Sequence, residues 1–576
     1  MADRVFNLYK IWATDPYFSD FHKELEAIAD DPAAIRERFY KELDFGTAGI
    51  RGIMGAGINR INIHLVRKVS TAVSRYIRSL GAASMKRGVV IGYDSRNLSK
   101  DFAREAASVF AGHGIKVYIH DDICPVPVLS YSVRELKTSM GIMITASHNP
   151  KEYNGYKVYG PDGAQLSPED SEQISARMKR IADYRKMKIF SFESMLGNGT
   201  VSYCPAALKK DYLGVVRALI PENSPADSDL AALKVVYTPL HGAGAGYVPE
   251  ILAMIGTGEV RLVEKQMIPD GNFPTVSVPN PENAEVYGLA LAEAKISGAD
   301  IILATDPDSD RTGAYVRNRE GGYELLSGNE IGEILLKRRI GLNTHPKPFA
   351  VSTLVSTRLS SKICKADGVR YVDVLTGFKF IGEQIRLLEE NEGMKFIFGF
   401  EESYGYLAGS YCRDKDAVAS CMLLCEACAF YKKQGMTIPE ALDSIYAEAG
   451  AEHELQTSLV LKGEEGSSEM KRIMTEVRKL GAGVLAGEKP VFYMDLLENT
   501  RYDVIKGGKY RKSAEDRFPP SDVLYYSYDG FWFCLRPSGT EPKIKIYFGA
   551  GGKNRSDAAA NAADLRDRVM KTIKSL

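Results

Sequence analysis

Short apolar, β-branched runs alternate with stretches of helical periodicity along most of the chain. Runs at 88–93 (GVVIGY), 116–120 (KVYIH) and 141–146 (GIMITA) make a first set of expected strands. A second set lies at 234–239 (KVVYTP), 260–263 (VRLV) and 300–305 (DIILAT), and a third at 349–354 (FAVSTL), 371–375 (YVDVL) and 395–400 (KFIFGF). Apolar strands separated by helix-length segments predict α/β units around mixed or parallel sheets. The spacing sets three such domains at 1–200, 205–325 and 326–450. The tail reads differently: 523–528 (VLYYSY), 530–536 (GFWFCLR) and 542–549 (PKIKIYFG) are strands joined by turns, followed by a helix over 555–576. That predicts a fourth, α+β domain over 455–576. No tight sequence repeat and no low-complexity segment interrupts the pattern.

The length, 576 residues, suits this division, since domains average roughly 150 residues. Apolar residues make up 45% and charged residues 26%, as in ordinary globular proteins. Lys plus Arg equals Asp plus Glu, 74 against 74, which argues against a dedicated nucleic-acid binder or a polybasic membrane protein. No apolar run approaches the roughly 18 residues of a transmembrane helix. The first residues carry Asp3, Arg4 and Lys10 and lack the apolar centre of a secretory signal. Eight cysteines are too few for a disulfide scaffold and fit a reducing compartment. A cytoplasmic protein without nucleic-acid or membrane partners is expected.

The stretch 144–159 (ITASHNPKEYNGYKVY) carries the most chemistry. Ser147 follows a buried-type strand, where α/β folds tend to present reactive groups. Asn154-Gly155 is a good two-residue hairpin turn, and a hairpin there folds Lys157 back toward Ser147 and His148. A hydroxyl with Lys and His close by suits nucleophilic or phosphoryl-transfer chemistry; a polar surface loop is the alternative. No G-x-S-x-G elbow occurs, which weighs against an α/β-hydrolase serine. At 305–311 (TDPDSDR) a strand delivers Asp306, Asp308 and Asp310 at i, i+2 and i+4. Three hard oxygen donors suit Mg²⁺; the alternative is a solvated acidic turn. It is not an EF-hand, because Arg311 and Arg317 stand where that loop needs Gly and Glu.

Further loops add to the pattern. The stretch 45–52 (FGTAGIRG) is a Gly-rich loop carrying Arg51, and 92–96 (GYDSR) sets Arg96 just beyond a strand; alone, either reads as an ordinary loop. Glu401 and Ser403 in 399–405 (GFEESYG) could take sugar hydroxyls, with Thr376 and Gly377 joining from a neighbouring strand end. The segment 536–543 (RPSGTEPK) reads as an anion loop or as a simple turn: Arg536 offers a fork, Ser538 and Thr540 hydroxyls, and Gly539 open amides. Two patterns are decoys. The run 241–246 (HGAGAG) mimics a dinucleotide fingerprint, but Tyr247 holds the third glycine position. Cys421, Cys425 and Cys428 line one face of an expected helix, as small core hydrophobes do. No Walker-type loop is present.

Together these loops resemble the alpha-D-phosphohexomutase superfamily, in the right order and over nearly the whole chain. TASHNP is similar to its phosphoserine loop, DPDSDR to its magnesium loop, GFEES to its sugar loop with one residue inserted after Gly399, and RPSGTEP to its phosphate loop. TGFK and the RDKD at 413–416 bring the match closest to the phosphoglucomutase branch. The resemblance implies three similar α/β domains and a C-terminal α+β domain around a central cleft. It implies that Ser147 is phosphorylated and that Asp306, Asp308 and Asp310 hold Mg²⁺ with a phosphoryl oxygen on Ser147. His148 and Lys157 match positions of proton transfer, and Arg51 and Arg311 positions beside the phosphoserine. Glu401 and Ser403, with Thr376 and Gly377, would take sugar hydroxyls. Lys415, Arg536, Ser538, Gly539 and Thr540 would hold the non-reacting phosphate. The implied reaction interconverts glucose 1-phosphate and glucose 6-phosphate, with glucose 1,6-bisphosphate as intermediate and activator. Mannose or pentose phosphates are the neighbouring alternatives. A metal-dependent sugar phosphatase and a non-catalytic sugar-phosphate binder are rivals of other classes.

Overall fold

Val89, Val90 and Ile91 are fully buried, as are Ile142, Met143 and Ile144, because strands covered by helices on both faces need apolar side chains on both. In the computed structural model they form the centre of a six-stranded sheet. The structure describes residues 2–46, 49–222, 227–461, 463–481, 483, 485–505, 509–514, 517–538 and 543–576. The sheet runs Gly49–Ile53, Tyr153–Tyr159, Met140–Ile144, Val89–Tyr93, Val117–Ile119, Val201–Tyr203. The first two pairings are antiparallel and the others parallel. Helices Ile63–Ser79 and Ser99–Gly112 pack beside it, the first started by Asn62, whose side chain accepts from Leu65 N at 3.1 Å.

A second sheet runs Tyr323–Leu325, Thr312–Arg317, Ile301–Thr305, Lys234–Thr238, Glu259–Leu262. Here the aspartate stretch 306–311 is the loop of a hairpin closed by Thr305 opposite Thr312. The two sheets belong to one compact unit, Met1–Leu325 with Ser403–Lys433. Helix Ala417–Lys433, which holds the buried Cys421, Cys425 and Cys428, is part of that unit.

The second unit is Leu326–Glu402 with Gln434–Leu576. Strands Arg370–Val374, Pro348–Thr353 and Lys395–Glu401 lie parallel in that order. The tail is a seven-stranded antiparallel sheet, Ala451–Val460, Lys543–Gly552, Phe531–Pro537, Leu524–Ser527, Phe492–Asp495, Thr500–Ile505, Lys509–Ala514. Helices Gly463–Leu480 and Arg555–Ser575 pack on one face, while Trp532, Tyr525 and Tyr547 of the other pack with Val355 and Leu375. The three tail strands read from sequence are the apolar centre of this sheet. The architecture is α/β with mixed sheets plus a β-rich C-terminal domain, as expected.

Two local expectations fail. Asn154-Gly155 is not a hairpin turn but lies inside strand Tyr153–Tyr159, and the connection from Met140–Ile144 spans 145–152. A Cβ on Gly155 would sit 2.3 Å from Thr145 O, so the glycine serves close approach of the loop rather than a turn. Arg51 likewise lies in a strand, opposite Gly155, rather than in a Gly-rich loop; Thr47 and Ala48 lie outside the described residues.

Candidate active site

The antiparallel return that the sequence suggested still brings Lys157 back, since Lys157 pairs with Met143. Ser147 follows the central strand, buried, with φ 53°, a left-handed backbone that a non-glycine residue holds only under constraint. Its Oγ donates to Asp306 Oδ2 at 2.8 Å and lies 3.3 Å from His148 Nδ1. Arg51 Nη1 donates to Asn149 Oδ1 at 2.7 Å, from the neighbouring strand.

The aspartate hairpin supplies the other half. Asp306, Asp308 and Asp310 are buried, and each offers a carboxylate oxygen within 4.8 Å of the others. Asp306 Oδ1 accepts from the amides of Asp310 (3.1 Å) and Arg311 (3.0 Å). Lys157 Nζ lies 2.9 Å from Asp308 Oδ2 and 3.6 Å from Asp310 Oδ2. Arg311 pairs with Glu282, and its Nε lies 3.9 Å from Asp310 Oδ1. Glycines of the 241–246 decoy serve this loop: a Cβ on Gly242 would sit 2.4 Å from Pro307 Cα, and Ala243 N donates to Pro307 O.

The charges follow from this packing. Burial pushes the Asp306 carboxyl well above its ordinary value, reinforced by the charges of Asp308 and Asp310. Burial also acts against Asp308, but Lys157 outweighs it and holds that carboxyl down at about 2. Lys157 is desolvated, yet Asp308 and Asp310 keep its ammonium charged. Desolvation, with Arg311, Arg51, Arg96 and Lys157 around it, drives the His148 imidazole well below its usual range and leaves it neutral.

These residues fit a divalent cation. Asp308 Oδ1 and Asp310 Oδ1 are buried and accept no hydrogen bond, an arrangement that three crowded carboxylates tolerate poorly without a cation. An all-oxygen donor set matches Mg²⁺ better than softer metals.

Of the remaining expected residues, Lys415 joins the aspartates: its Nζ lies 3.1 Å from Asp310 Oδ2 and 3.1 Å from Asp414 Oδ1. Asp414 is fixed by Tyr159 (2.9 Å) and Gln165 (3.0 Å). Ser403 begins the last segment of the same unit. In the second unit, Glu401 Oε1 accepts from Gly377 N at 2.8 Å, which sets the strand end 376–377 beside Glu401. Arg536 is half-buried on strand Phe531–Pro537, and Ser538 N donates to Lys543 O at 2.8 Å. Gly539 and Thr540 lie outside the described residues. Sequence reasoning missed Glu282 and gave no role to Asp414 of the RDKD run or to Thr145 of TASHNP, whose hydroxyl accepts from Ser147 N at 2.8 Å. The only signal for the last was its place between strand and serine.

Comparison with known proteins agrees with this arrangement. Residues 42–185, 212–321 and 327–449 match the family models described as phosphoglucomutase/phosphomannomutase, alpha/beta/alpha domains I, II and III. The chain is 38% identical over 528 residues to a phosphoglucomutase of Staphylococcus aureus (strain MSSA476), covering 91% of this chain and 92% of the relative. Its fold is similar to that of a putative phosphomannomutase from Thermus thermophilus, at TM-score 0.68 and 22% identity over 93% of this chain and 99% of that one. It is also similar to the open form of pp63/parafusin, a phosphoglucomutase from Paramecium, at TM-score 0.67 and 15% identity over 93% and 96% of the two chains. The first two matched models contain the serine loop and the aspartate hairpin whose contact is described above. A relative aligned almost end to end extends the likeness beyond them, and the chain belongs to the phosphoglucomutase/phosphomannomutase family of alpha-D-phosphohexomutases.

Proposed function

We propose that this chain is a phosphosugar mutase that interconverts glucose 1-phosphate and glucose 6-phosphate through a phosphoserine at Ser147 and glucose 1,6-bisphosphate. The observation that carries the reading is the buried Ser147 Oγ, held against Asp306 beside two aspartate oxygens that accept no hydrogen bond. Support for glucose comes from the relatives, which bear the name phosphoglucomutase.

In the proposed cycle the phosphoryl group leaves Ser147 Oγ for the free hydroxyl of the sugar phosphate. The sugar hydroxyl loses its proton as Oγ gains one; after the bisphosphate turns over, Oγ gives up that proton and takes the other phosphoryl group, while the freed sugar oxygen is protonated. His148, whose Nδ1 lies 3.3 Å from Oγ, and the Lys157 ammonium would exchange those protons. Arg51 and Arg311 supply positive charge, and Arg311 is oriented by Glu282. Asp306, Asp308 and Asp310 would hold Mg²⁺ with a phosphoryl oxygen on Ser147; bound there, it offsets charge on the transferring group. Glu401 and Ser403, with Thr376 and Gly377, would read sugar hydroxyls. Arg536, Ser538, Gly539 and Thr540 would hold the phosphate that does not react, and Lys415 would meet phosphate from the aspartate side. Positioning and electrostatics thus carry most of the rate. The proposed setting is the cytoplasm, in keeping with eight cysteines that form no disulfide. None of the described helices is long and apolar enough to cross a membrane.

The test supplies glucose 1-phosphate with Mg²⁺ and a catalytic amount of glucose 1,6-bisphosphate. Glucose 6-phosphate without inorganic phosphate is expected. Stoichiometric inorganic phosphate would make the protein a phosphatase, and binding without product a carrier. Parallel runs with mannose, glucosamine and ribose 1-phosphates rank the sugars.

A further inference from the structure

Strands Val89–Tyr93 and Met140–Ile144 lie side by side and parallel, with Tyr93 opposite Ile144, so the segments leaving their ends run together. One begins Asp94-Ser95-Arg96, the other Thr145-Ala146-Ser147. The Arg96 side chain is wholly buried, and its guanidinium is spent on backbone carbonyls of the serine loop. Nη2 donates to Ser147 O at 2.5 Å and to Asn149 O; Nη1 donates to Pro150 O at 2.8 Å and Tyr153 O at 3.0 Å. Behind it stands Asp94, with Oδ2 3.4 Å from Arg96 Nε, and the Phe273 ring covers it with its centroid 5.1 Å away.

Asp94 also reaches Ser147 by a second route. Its Oδ2 accepts from the Thr145 hydroxyl at 2.6 Å, and Thr145 Oγ1 accepts in turn from Ser147 N at 2.8 Å. Its Oδ1 takes Arg96 N at 3.0 Å and Ser99 Oγ at 2.7 Å. The amide and the carbonyl of Ser147 are therefore both fixed by side chains of one buried network. Between them sits the φ of 53° that a serine does not keep unless its surroundings over-determine it. Four carbonyls gathered on one donor group need the five N–H bonds of a planar fork; an ammonium, with three, cannot reach them all.

We infer that Arg96, backed by Asp94 and Thr145, is a positioning residue that holds Ser147 in its left-handed backbone and so presents Oγ to the aspartate hairpin for phosphoryl transfer. The inference rests on the reading of Ser147 as phosphoryl carrier for its consequence in catalysis, but the strain-holding part stands on geometry alone.

Two measurements separate these parts. The first uses Arg96→Lys and Thr145→Val and follows uptake of phosphate by Ser147 from glucose 1,6-bisphosphate, by intact mass in a rapid-quench series, with KM for glucose 1-phosphate measured alongside. Because misplacing a reacting group by about 1 Å costs on the order of 10²-fold, uptake should slow by about that factor while KM holds within about threefold. A merely structural role would lower the melting temperature and leave uptake per folded molecule unchanged.

The second is a melting cycle that needs no activity. The difference in melting temperature between Ser147→Gly and Ser147→Ala is measured in the natural background and again with Arg96→Lys. Glycine is freed of the left-handed penalty, so its advantage over alanine should shrink once the clamp is loosened; the unfolded-chain difference is common to both backgrounds and cancels. If Arg96→Lys does not fold, the same cycle is run with Thr145→Val. An unchanged Gly–Ala difference, or unchanged uptake in both variants, overturns the inference. Failure of the natural protein to take up phosphate at all would instead overturn the mutase reading, and the melting cycle would still judge the clamp.

Discussion

Ser147 Oγ and Asp306 Oδ2 lie 2.8 Å apart across 159 positions of sequence, so the loop after the central strand of the first sheet meets the hairpin loop of the second. That contact fixes where the proposed phosphoryl group sits. Ser147→Ala should leave the fold in place and lower mutase turnover by about 10³-fold or more, as removal of a nucleophile does elsewhere. Intact mass after incubation with glucose 1,6-bisphosphate should show phosphate on the natural chain and none on the variant. Near-natural turnover in Ser147→Ala would remove the serine from the chemistry.

Metal removal should act on stability as well as rate. With Asp308 Oδ1 and Asp310 Oδ1 accepting no hydrogen bond, Lys157 carries much of the compensation for the three carboxylates. Lys157→Met should therefore destabilise the metal-free protein by about 3–5 kcal/mol, the usual effect of leaving a buried charge unpaired. Mg²⁺ should recover a good part of that, whereas the natural chain should gain less from it. Melting temperatures with chelator and with saturating Mg²⁺ check the difference. Asp308→Asn should raise the Mg²⁺ concentration needed for half-maximal activity by about 10-fold or more, since a neutral ligand replaces an anionic one. Equal responses to Mg²⁺ in all three proteins would mean that the hairpin is only structural.

These two sites were legible because their chemistry is local. Asp306, Asp308 and Asp310 fall at i, i+2 and i+4 after an apolar strand, and Ser147 follows another, so neither needed a distant partner to be noticed. Lys157 was found near Ser147 for a reason that proved wrong in detail: Asn154-Gly155 has the statistics of a turn, yet the glycine is there to let Thr145 O approach. Partners far away in sequence left no mark. Glu282 orients Arg311 from 29 positions away, and Asp414 meets Tyr159 across 255. The outer tail strands were invisible for another reason. Thr500–Ile505 and Lys509–Ala514 carry Arg501, Asp503 and Arg511, which pair with one another across the edge instead of burying an apolar face.

Glu402 supplies a pH dependence. Burial, with the Glu401 charge beside it, pushes its carboxyl up to about 7, although Thr353 Oγ1 donates to it at 3.1 Å. Because the folded value lies above the unfolded one of 4.5, the folded state holds the extra proton between those limits. The contribution of the protonated carboxyl is thus full below about pH 4.5 and is lost as pH rises to about 7. It amounts to about 1–3 kcal/mol once solvent screening is allowed for. Urea unfolding at pH 5, 6 and 7.5 should show the natural chain losing stability relative to Glu402→Gln across that window. Parallel curves for the two proteins would place the carboxyl at its ordinary value.

Arg536 tests whether the tail takes part in catalysis. It stands opposite Lys545 on the antiparallel strands Phe531–Pro537 and Lys543–Gly552, at the end that leads into Ser538. A dianionic phosphate that must stay fixed while the other end of the sugar reacts needs a bidentate donor, which a guanidinium provides. Charge-assisted hydrogen bonds contribute about 1.5–3 kcal/mol each, so Arg536→Ala should lower kcat/KM by about 10- to 100-fold. In the proposed cycle the same clamp serves both orientations of the bisphosphate, and the forward and reverse reactions should suffer alike. A contact equally strong in ground and transition states raises KM more than it lowers kcat. Arg536→Lys should recover only part of the loss, since an ammonium cannot make the paired bonds. Phosphate on Ser147 and the affinity for Mg²⁺ should be unaffected, because those groups belong to the other compact unit. Steady-state kinetics in both directions check the expectation, and unaltered constants for Arg536→Ala would exclude the tail strand from substrate binding.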